Sequence, residues 1–297
     1  MPAVDEPLVD RKFLERLERL TLHWQKSFPG LVGGHNRSRF PGSGLEFLDH
    51  RNFHPGDDLR AVNWRAFMRL EKMFLKMFQV EPRVPVRMLI DVSKSMTTGE
   101  QTSKFLYARR VAAALSFVGL VKLDMITLQP FSDHLEHSFL CGGGRHRFMP
   151  AAEFLNNLKP AGAGDFLKVA REFNHEYSQR GLLIIISDFL DDNDCLKPLQ
   201  YLSDFGHELM LVHVWAEEDR VPPWEGELAL EDAETGASLE ISFDDKARRQ
   251  YTEAFDEYAA LLRRLALRNG GRYAGLPTSL PVEEAMFGPM VNAGGLA

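Results

Sequence analysis

Cysteine is scarce in this chain, with only Cys141 and Cys195 among 297 residues. Two thiols are too few for the disulfide framework of a small secreted domain, and they fit a reducing compartment. Long apolar runs are missing too: none reaches the roughly 20 residues needed to cross a bilayer. The opening segment MPAVDEPLVDRKFLERLERL is acidic and amphipathic, with no apolar signal core. A cytoplasmic protein without its own membrane anchor is therefore expected. Basic excess is absent as well, since 35 Lys and Arg stand against 42 Asp and Glu, a net charge of −7. Residues 33–83 carry nine Lys/Arg against six Asp/Glu, only a mild local excess. A nucleic-acid binder needs clustered cations to neutralise phosphates, so that class is disfavoured.

Common catalytic signatures are lacking. There is no Gly-x-Ser-x-Gly elbow to activate a serine. Cys141-Gly-Gly-Gly-Arg145-His146-Arg147 has no Lys-Ser/Thr pair and does not make a phosphate loop. His35, His50 and His54 lie close together, but no Cys or acidic spacing completes a zinc signature. Phosphoaspartate chemistry at Asp91 would want a second acid two residues on, where Ser93 stands. No catalytic residue is assigned.

What is present is the stretch Val86-Arg-Met-Leu-Ile-Asp-Val-Ser-Lys-Ser-Met96. The apolar run, bounded by Pro85, reads as a buried strand. Beyond its carboxyl end, Asp91, Ser93 and Ser95 can turn three oxygens toward one point, in the crevice where open parallel sheets place ligands. One carboxylate and two hydroxyls suit a hard divalent cation. The alternative is a Ser-rich turn that caps the next helix.

Further elements alternate along the chain. Lys104–Lys122 has helical spacing, Asp124–Phe131 reads as a strand, and Leu135–Leu140 pairs with it as a hairpin. His146–Leu158 and Phe166–Gln179 read as helices; Gly181–Ser187 is almost wholly apolar, as in a strand covered on both faces, and runs into Asp188. A helix around Leu196–Ser203, a strand Glu208–Trp215 and a long helix Asp244–Arg268, stopped by Gly270-Gly271, follow. This order predicts a doubly wound α/β fold with a mostly parallel sheet and helices on both faces. A hairpin insertion is expected at about 221–243, around Ala233-Glu-Thr-Gly236.

Upstream, a helix is expected over Leu8–Ser27, then a Gly/Pro-rich stretch containing Gly33-Gly34-His35-Asn36-Arg37-Ser38-Arg39, read as a solvated loop. His54-Pro-Gly-Asp57-Asp58 is a turn by composition, and its acids lie beside Arg51, Arg60 and Arg65. The segment is read either as a partner-binding hub of Arg51, Asp57, Asp58, Arg60 and Trp64, or as a turn held by Asp side chains with Trp64 buried as an anchor. The chain divides near Pro82-Arg-Val-Pro85 into an N-terminal extension, 1–82, and an α/β domain, 83–297.

Asp91-x-Ser93-x-Ser95 after the first strand, with Asp188 after a later one, resembles the metal-ion-dependent adhesion site of von Willebrand factor A domains. Gly44-Leu-Glu46-Phe47, Arg51 to Arg60, Asn63-Trp64 and Lys76 to Glu81 resemble the prokaryotic domain of unknown function family 58. The resemblance implies a Rossmann-like von Willebrand factor A fold and a Mg²⁺ (or Mn²⁺) held by Asp91, Ser93, Ser95 and Asp188. It also implies a non-enzymatic adaptor that works with a MoxR-type AAA+ ATPase to assemble or activate a client protein. The pattern departs at Pro160-Ala-Gly-Ala-Gly164-Asp165: Gly164 stands where a ligand Thr is expected. Asp165 either reaches the metal or caps the following helix. Two other readings stand beside this one, a metal-dependent phosphoester hydrolase at the same crevice and a metal-free scaffold.

Overall fold

The computed structural model describes residues 8–23, 39–41, 46–55, 57, 59, 62–79, 84–99, 102–191, 194–231 and 238–297. The chain forms two compact units, one of residues 1–25 with 85–297 and the other of residues 26–84. One boundary between the units falls between Val84 and Pro85. The first 25 residues, however, go with the α/β unit and not with the extension.

In the α/β unit, α1 (Arg11–Leu17) is followed after the second unit by β4 (Pro85–Asp91), α3 (Lys104–Val121), β5 (Met125–Phe131) and β6 (Phe139–Cys141). Next come α4 (Phe148–Asn157), α5 (Phe166–Glu176), β7 (Leu182–Ser187), α6 (Leu196–Asp204), β8 (Glu208–Trp215) and α7 (Glu217–Arg220). The last elements are β9 (Gly226–Glu231), β10 (Ser238–Phe243), α8 (Asp245–Arg268), β11 (Arg272–Pro277), α9 (Val282–Phe287) and α10 (Pro289–Asn292). Six strands make one sheet in the order β11-β8-β7-β4-β5-β6, parallel except for β6. After β4 the chain builds outward through β5 and β6, then returns to the other side of β4 with β7. The strand order therefore reverses between β4 and β7. This is the α/β architecture expected of a von Willebrand factor A-type domain.

Alternation along each strand divides the core in two. Val86, Met88, Ile90, Ile184, Ile186 and Val212 face one cluster with α3, α4, α9 and α1. Leu89, Leu183, Ile185 and Leu211 face the other with α5, α6 and α8. Helix α3 is apolar nearly all round, so it is buried nearly all round, with Ala112, Ala113 and Ala114 at zero exposure. The small residues let it lie close to the sheet while other helices cover its outer side.

The N-terminal helix is shorter than periodicity suggests. It stops at Leu17, and Leu22 forms an antiparallel bridge with Leu296. Thr21 and Ala297 exchange backbone hydrogen bonds of 2.8 and 3.0 Å, and His23 N–H donates to Gly295 at 3.1 Å. Sheet-like pairing with the far end of the chain supplants the helix beyond residue 20. The hairpin is present as β9 and β10, an antiparallel pair outside the main sheet; its turn residues lie outside the described set. Four elements of this unit were not anticipated: β11, which the Gly270-Gly271 stop leads into, and the short helices α7, α9 and α10.

The second unit contains β1 (Arg39–Pro41), β2 (Glu46–Asn52), α2 (Trp64–Leu70) and β3 (Phe74–Gln79), with strand order β1-β3-β2, all antiparallel. This sheet was not foreseen, because neither β2 (EFLDHRN) nor β3 (FLKMFQ) alternates cleanly between polar and apolar residues. The loop Gly33 to Ser38 falls outside the described residues.

Arg272 at the start of β11 is 4% exposed and pairs with fully buried Glu208 of β8, while its other terminal nitrogen meets His23 Nδ1 at 3.0 Å. Removing one member of a buried pair leaves the other uncompensated, at a cost of about 3–5 kcal/mol. Arg272→Met is expected to lower the urea midpoint accordingly, and Arg272→Met with Glu208→Leu to regain most of the loss. A double variant no better than the single one would contradict this account of the pair.

Candidate functional site

Strands β4 and β7 both end in an acid at the point of strand-order reversal. Asp91 and Asp188 are 2% and 1% exposed. An ionised carboxylate so buried must be surrounded by donors. Asp91 Oδ1 accepts from the Ser93 N–H at 2.9 Å and the Ser93 hydroxyl at 2.6 Å, and Oδ2 accepts from the Ser187 hydroxyl at 2.5 Å. Since Ser93 has one hydroxyl proton and gives it to Asp91, the 2.9 Å contact between Ser93 and Ser95 is donated by Ser95. Asp91, Ser93 and Ser95 are thus one connected chain of oxygens, as their spacing suggested. Burial, and secondarily the Asp188 charge, push the Asp91 carboxyl up to about 7, against the opposing pull of its serine donors.

Asp188 is held differently. Its Oδ1 accepts from Leu190 N–H at 3.0 Å, and its Oδ2 accepts from the Lys104 ammonium at 2.7 Å. Lys104 is 1% exposed and reaches Asp219 of α7 at 3.1 Å as well. Burial alone would lower the Lys104 pKa, but the neighbouring carboxylates of Asp188 and Asp219 raise it overall. Phe189, next to Asp188, has φ +54°, a left-handed conformation that is costly for an aromatic residue. It is kept there by its N–H to Ser187 Oγ at 2.8 Å, by Tyr258 OH donating to its carbonyl at 2.7 Å, and by its ring against Phe166 and His213. That turn sends the chain out of the sheet and brings the Leu190 N–H back to Asp188. Beneath it, burial and the Lys104 charge press the His213 imidazole down to about 3, so it is neutral.

The loop before α5 closes the third side of the crevice. Ala161 N–H donates to Val92 O at 2.7 Å, and Lys94 N–H donates to Gly162 O at 3.1 Å. Gly164 is not in the left-handed region, and an added Cβ would meet only the Leu190 carbonyl oxygen, at 3.9 Å. A side chain there is absent but not sterically forbidden. Asp165 is the N-cap of α5, accepting from Lys168 N–H at 2.9 Å, so of the two expected roles the structure displays the capping one.

The donor set fits a divalent cation. The two serine hydroxyls stand 2.9 Å apart, the spacing of adjacent ligands about 2.0–2.1 Å from an octahedral Mg²⁺. With its proton committed to Asp91, the Ser93 oxygen still has a lone pair to offer. Asp91, Ser93, Ser95 and Asp188 are the residues that would hold the ion. No cluster of three or more His, Cys, Asp or Glu residues suited to a metal occurs among the described residues.

The other predicted surface is only partly in view, because Asp58 and Arg60 lie outside the described residues. Arg51 pairs with Asp57 at 2.7 Å, and Asp57 also accepts from His54 N–H at 2.8 Å, which locks the turn. Trp64 corrects the anchor expectation: it is 51% exposed. Val62, at 3%, takes the buried place by bridging to Leu75, and Trp64 starts α2 with its ring edge-on to Phe67.

Sequence reasoning missed Lys104, Ser187, Phe189 and Asp219. One signal for Lys104 was readable: a lysine directly after the N-cap Ser103 opposes the helix dipole and calls for nearby acids.

The sequence model of the family described as "Protein of unknown function DUF58" matches residues 49–260. The uncharacterized protein Rv1480 of Mycobacterium tuberculosis (strain ATCC 25618 / H37Rv) is 24% identical over 271 residues, covering 85% of this chain and 83% of that protein. Among solved structures, the conserved hypothetical protein BatB from Bacteroides thetaiotaomicron is 16% identical, with a TM-score of 0.42, covering 71% of this chain and 98% of the other. The manganese-loaded TRAP protein of Plasmodium vivax is 10% identical, with a TM-score of 0.29, covering 62% and 73%.

Asp91 predicts a pH signature in metal-free buffer. Its carboxyl loses a proton near 3.8 when unfolded and near 7 when folded. Between those values the native state holds a proton that the unfolded state has lost, so this group's contribution to stability falls as pH rises and levels off above about 7. His213 has the opposite slope from about 3 to 6.5, so the informative quantity is a difference. The urea midpoint of Asp91→Asn is expected to gain on wild type steadily from about pH 4 to about pH 7. A constant difference across that range would refute the assignment.

Proposed function

This chain belongs to the DUF58 family of proteins of unknown function, and we propose that its α/β unit is a non-enzymatic binding module that takes a partner carboxylate through Mg²⁺ or Mn²⁺. The observation that carries this reading is the convergence of Asp91, Ser93, Ser95 and Asp188 at the point where strand order reverses. When bound, a hydrated divalent ion supplies an electrostatic anchor with positions open to an incoming Asp or Glu oxygen. The chain's own contribution is to hold the oxygens in place. Ser187 and the Ser93 N–H orient Asp91, Ser95 adds a half-buried hydroxyl, and the Phe189 turn fixes Asp188. With the third hydroxyl missing at Gly164, a carboxylate from a partner would complete the coordination.

Family resemblance supports a MoxR-type AAA+ ATPase as the partner, in the assembly or activation of a client protein. The scarcity of cysteine supports a cytoplasmic setting for this work, and among the described residues no helix is long and apolar enough to cross a membrane. The hydrolase reading is the alternative; its candidate water-positioning base, Asp165, caps α5 through one carboxylate oxygen that accepts from the Lys168 N–H.

Titration calorimetry tests the proposal. Wild type is expected to bind Mn²⁺ and Mg²⁺ saturably at millimolar concentration, and Asp91→Ala to lose that binding. Gly164→Thr is expected to fold normally and bind more tightly, because it adds a hydroxyl where there is room for one. Absence of binding in wild type would reduce the unit to a metal-free scaffold, and equal binding by Asp91→Ala would put the bound ion outside this crevice.

A further inference from the structure

We propose that Lys104 sets the cation affinity of the crevice: its ammonium is a resident cation on Asp188, and a divalent ion must compete with it. This inference rests on the reading of the crevice as a cation site, and it identifies the residue that weakens that site. Lys104 Nζ lies 2.7 Å from Asp188 and 3.1 Å from Asp219, and the side chain is 1% exposed. It cannot swing into solvent as a surface lysine would. Both oxygens of Asp188 are already engaged, one by a backbone N–H and the other by a full positive charge. An ion that reached Asp188 would therefore meet a buried like charge within a few ångströms, in a region where water screens poorly.

The position is also unfavourable for a lysine in its own right. It is the first residue of α3, at the positive end of an 18-residue helix, behind the side-chain cap Ser103. A methionine would fill similar volume there without opposing the dipole. The two carboxylates on separate elements hold the ammonium in place. Asp219 gives it somewhere to go when Asp188 is claimed: it sits at the start of α7, oriented by accepting the Ala216 N–H at 2.9 Å. On this account the ammonium shifts its weight toward Asp219 as an ion takes up Asp188. The free protein is accordingly a low-affinity cation site, completed only when an anionic partner adds its own ligand.

The test is titration calorimetry of MnCl₂ and MgCl₂ into the full chain, as wild type, Lys104→Met and Lys104→Met with Asp219→Asn. The double variant removes one positive and one negative charge, so its formal charge equals that of wild type, but Asp188 is freed. Both variants are expected to bind Mn²⁺ at least about tenfold more tightly than wild type, a modest floor for one unit charge near a divalent ion at protein dielectric. A lysine with a merely structural role predicts the reverse, since its loss would loosen the site and weaken binding. Should Lys104→Met fail to fold, the charge-balanced double variant decides alone. Tighter binding by the single variant with wild-type affinity in the double would mean that net charge, not occupancy of Asp188, sets the affinity, and would overturn the proposal. Affinity unchanged or weaker in both, with wild type binding, would overturn it while leaving the binding-module reading intact. No heat from wild type or either variant would overturn both.

Discussion

The contact between Lys104 and Asp188 is the constraint around which the α/β unit is arranged. A buried carboxylate at the end of a central strand costs several kcal/mol unless an opposite charge and hydrogen bonds accompany it into the interior. Here the opposite charge comes from the first turn of α3, so the helix that forms the core of one sheet face must begin where β7 ends. That requirement locates α3 along the sheet as firmly as its apolar packing does. It also draws in α7, because the same ammonium needs Asp219. Three elements distant in sequence are joined through one nitrogen atom.

Asp91 meets the same problem by another route. Among the described residues it pairs with no cation, and it relies on three hydrogen-bond donors from Ser93 and Ser187. Neutral donors compensate a charge less completely than an ammonium does, and the carboxyl correspondingly holds its proton to higher pH. Two acids in equivalent places at neighbouring strand ends are thereby made unequal. One is locked in an ion pair, whereas the other remains responsive to whatever enters the crevice. The left-handed Phe189 belongs to the same arrangement, since its unfavourable backbone is what lets the chain leave β7 and still return an N–H to Asp188.

Much of this was legible in advance, and for identifiable reasons. Strand β7 is a continuous apolar run, and β4 is one interrupted by Arg87, because both faces of a parallel sheet are covered, and each boundary is marked by a charged or turn-forming residue. Helix α8 carries an Asp cap at one end and a Gly-Gly stop at the other. The Asp-x-Ser-x-Ser spacing is local, so the geometry of Asp91, Ser93 and Ser95 follows from a single turn. The antiparallel sheet of residues 26–84 was hidden because β2 and β3 lack a clean alternation of polar and apolar residues. Helix α1 was read too long because periodicity does not reveal that residues 21–23 pair with the far end of the chain. One of the two readings of Trp64 made it a buried anchor, and Val62, two residues earlier, takes that place.

What the sequence by itself determined is the identity and order of the elements from β4 to β8, the hairpin and α8, the doubly wound class, and the oxygen cluster on one loop. Those depend on patterns within a few residues of one another. What only the tertiary structure decided is which charges face each other. Asp188 meets Lys104 across 84 positions and Asp91 meets Ser187 across 96, and no local pattern encodes a contact between side chains so far apart. The oxygens available at the crevice could be read from the sequence. The cation already beside them could be placed only by folding, because burial makes a charge choose its partner and the sheet brings the two together.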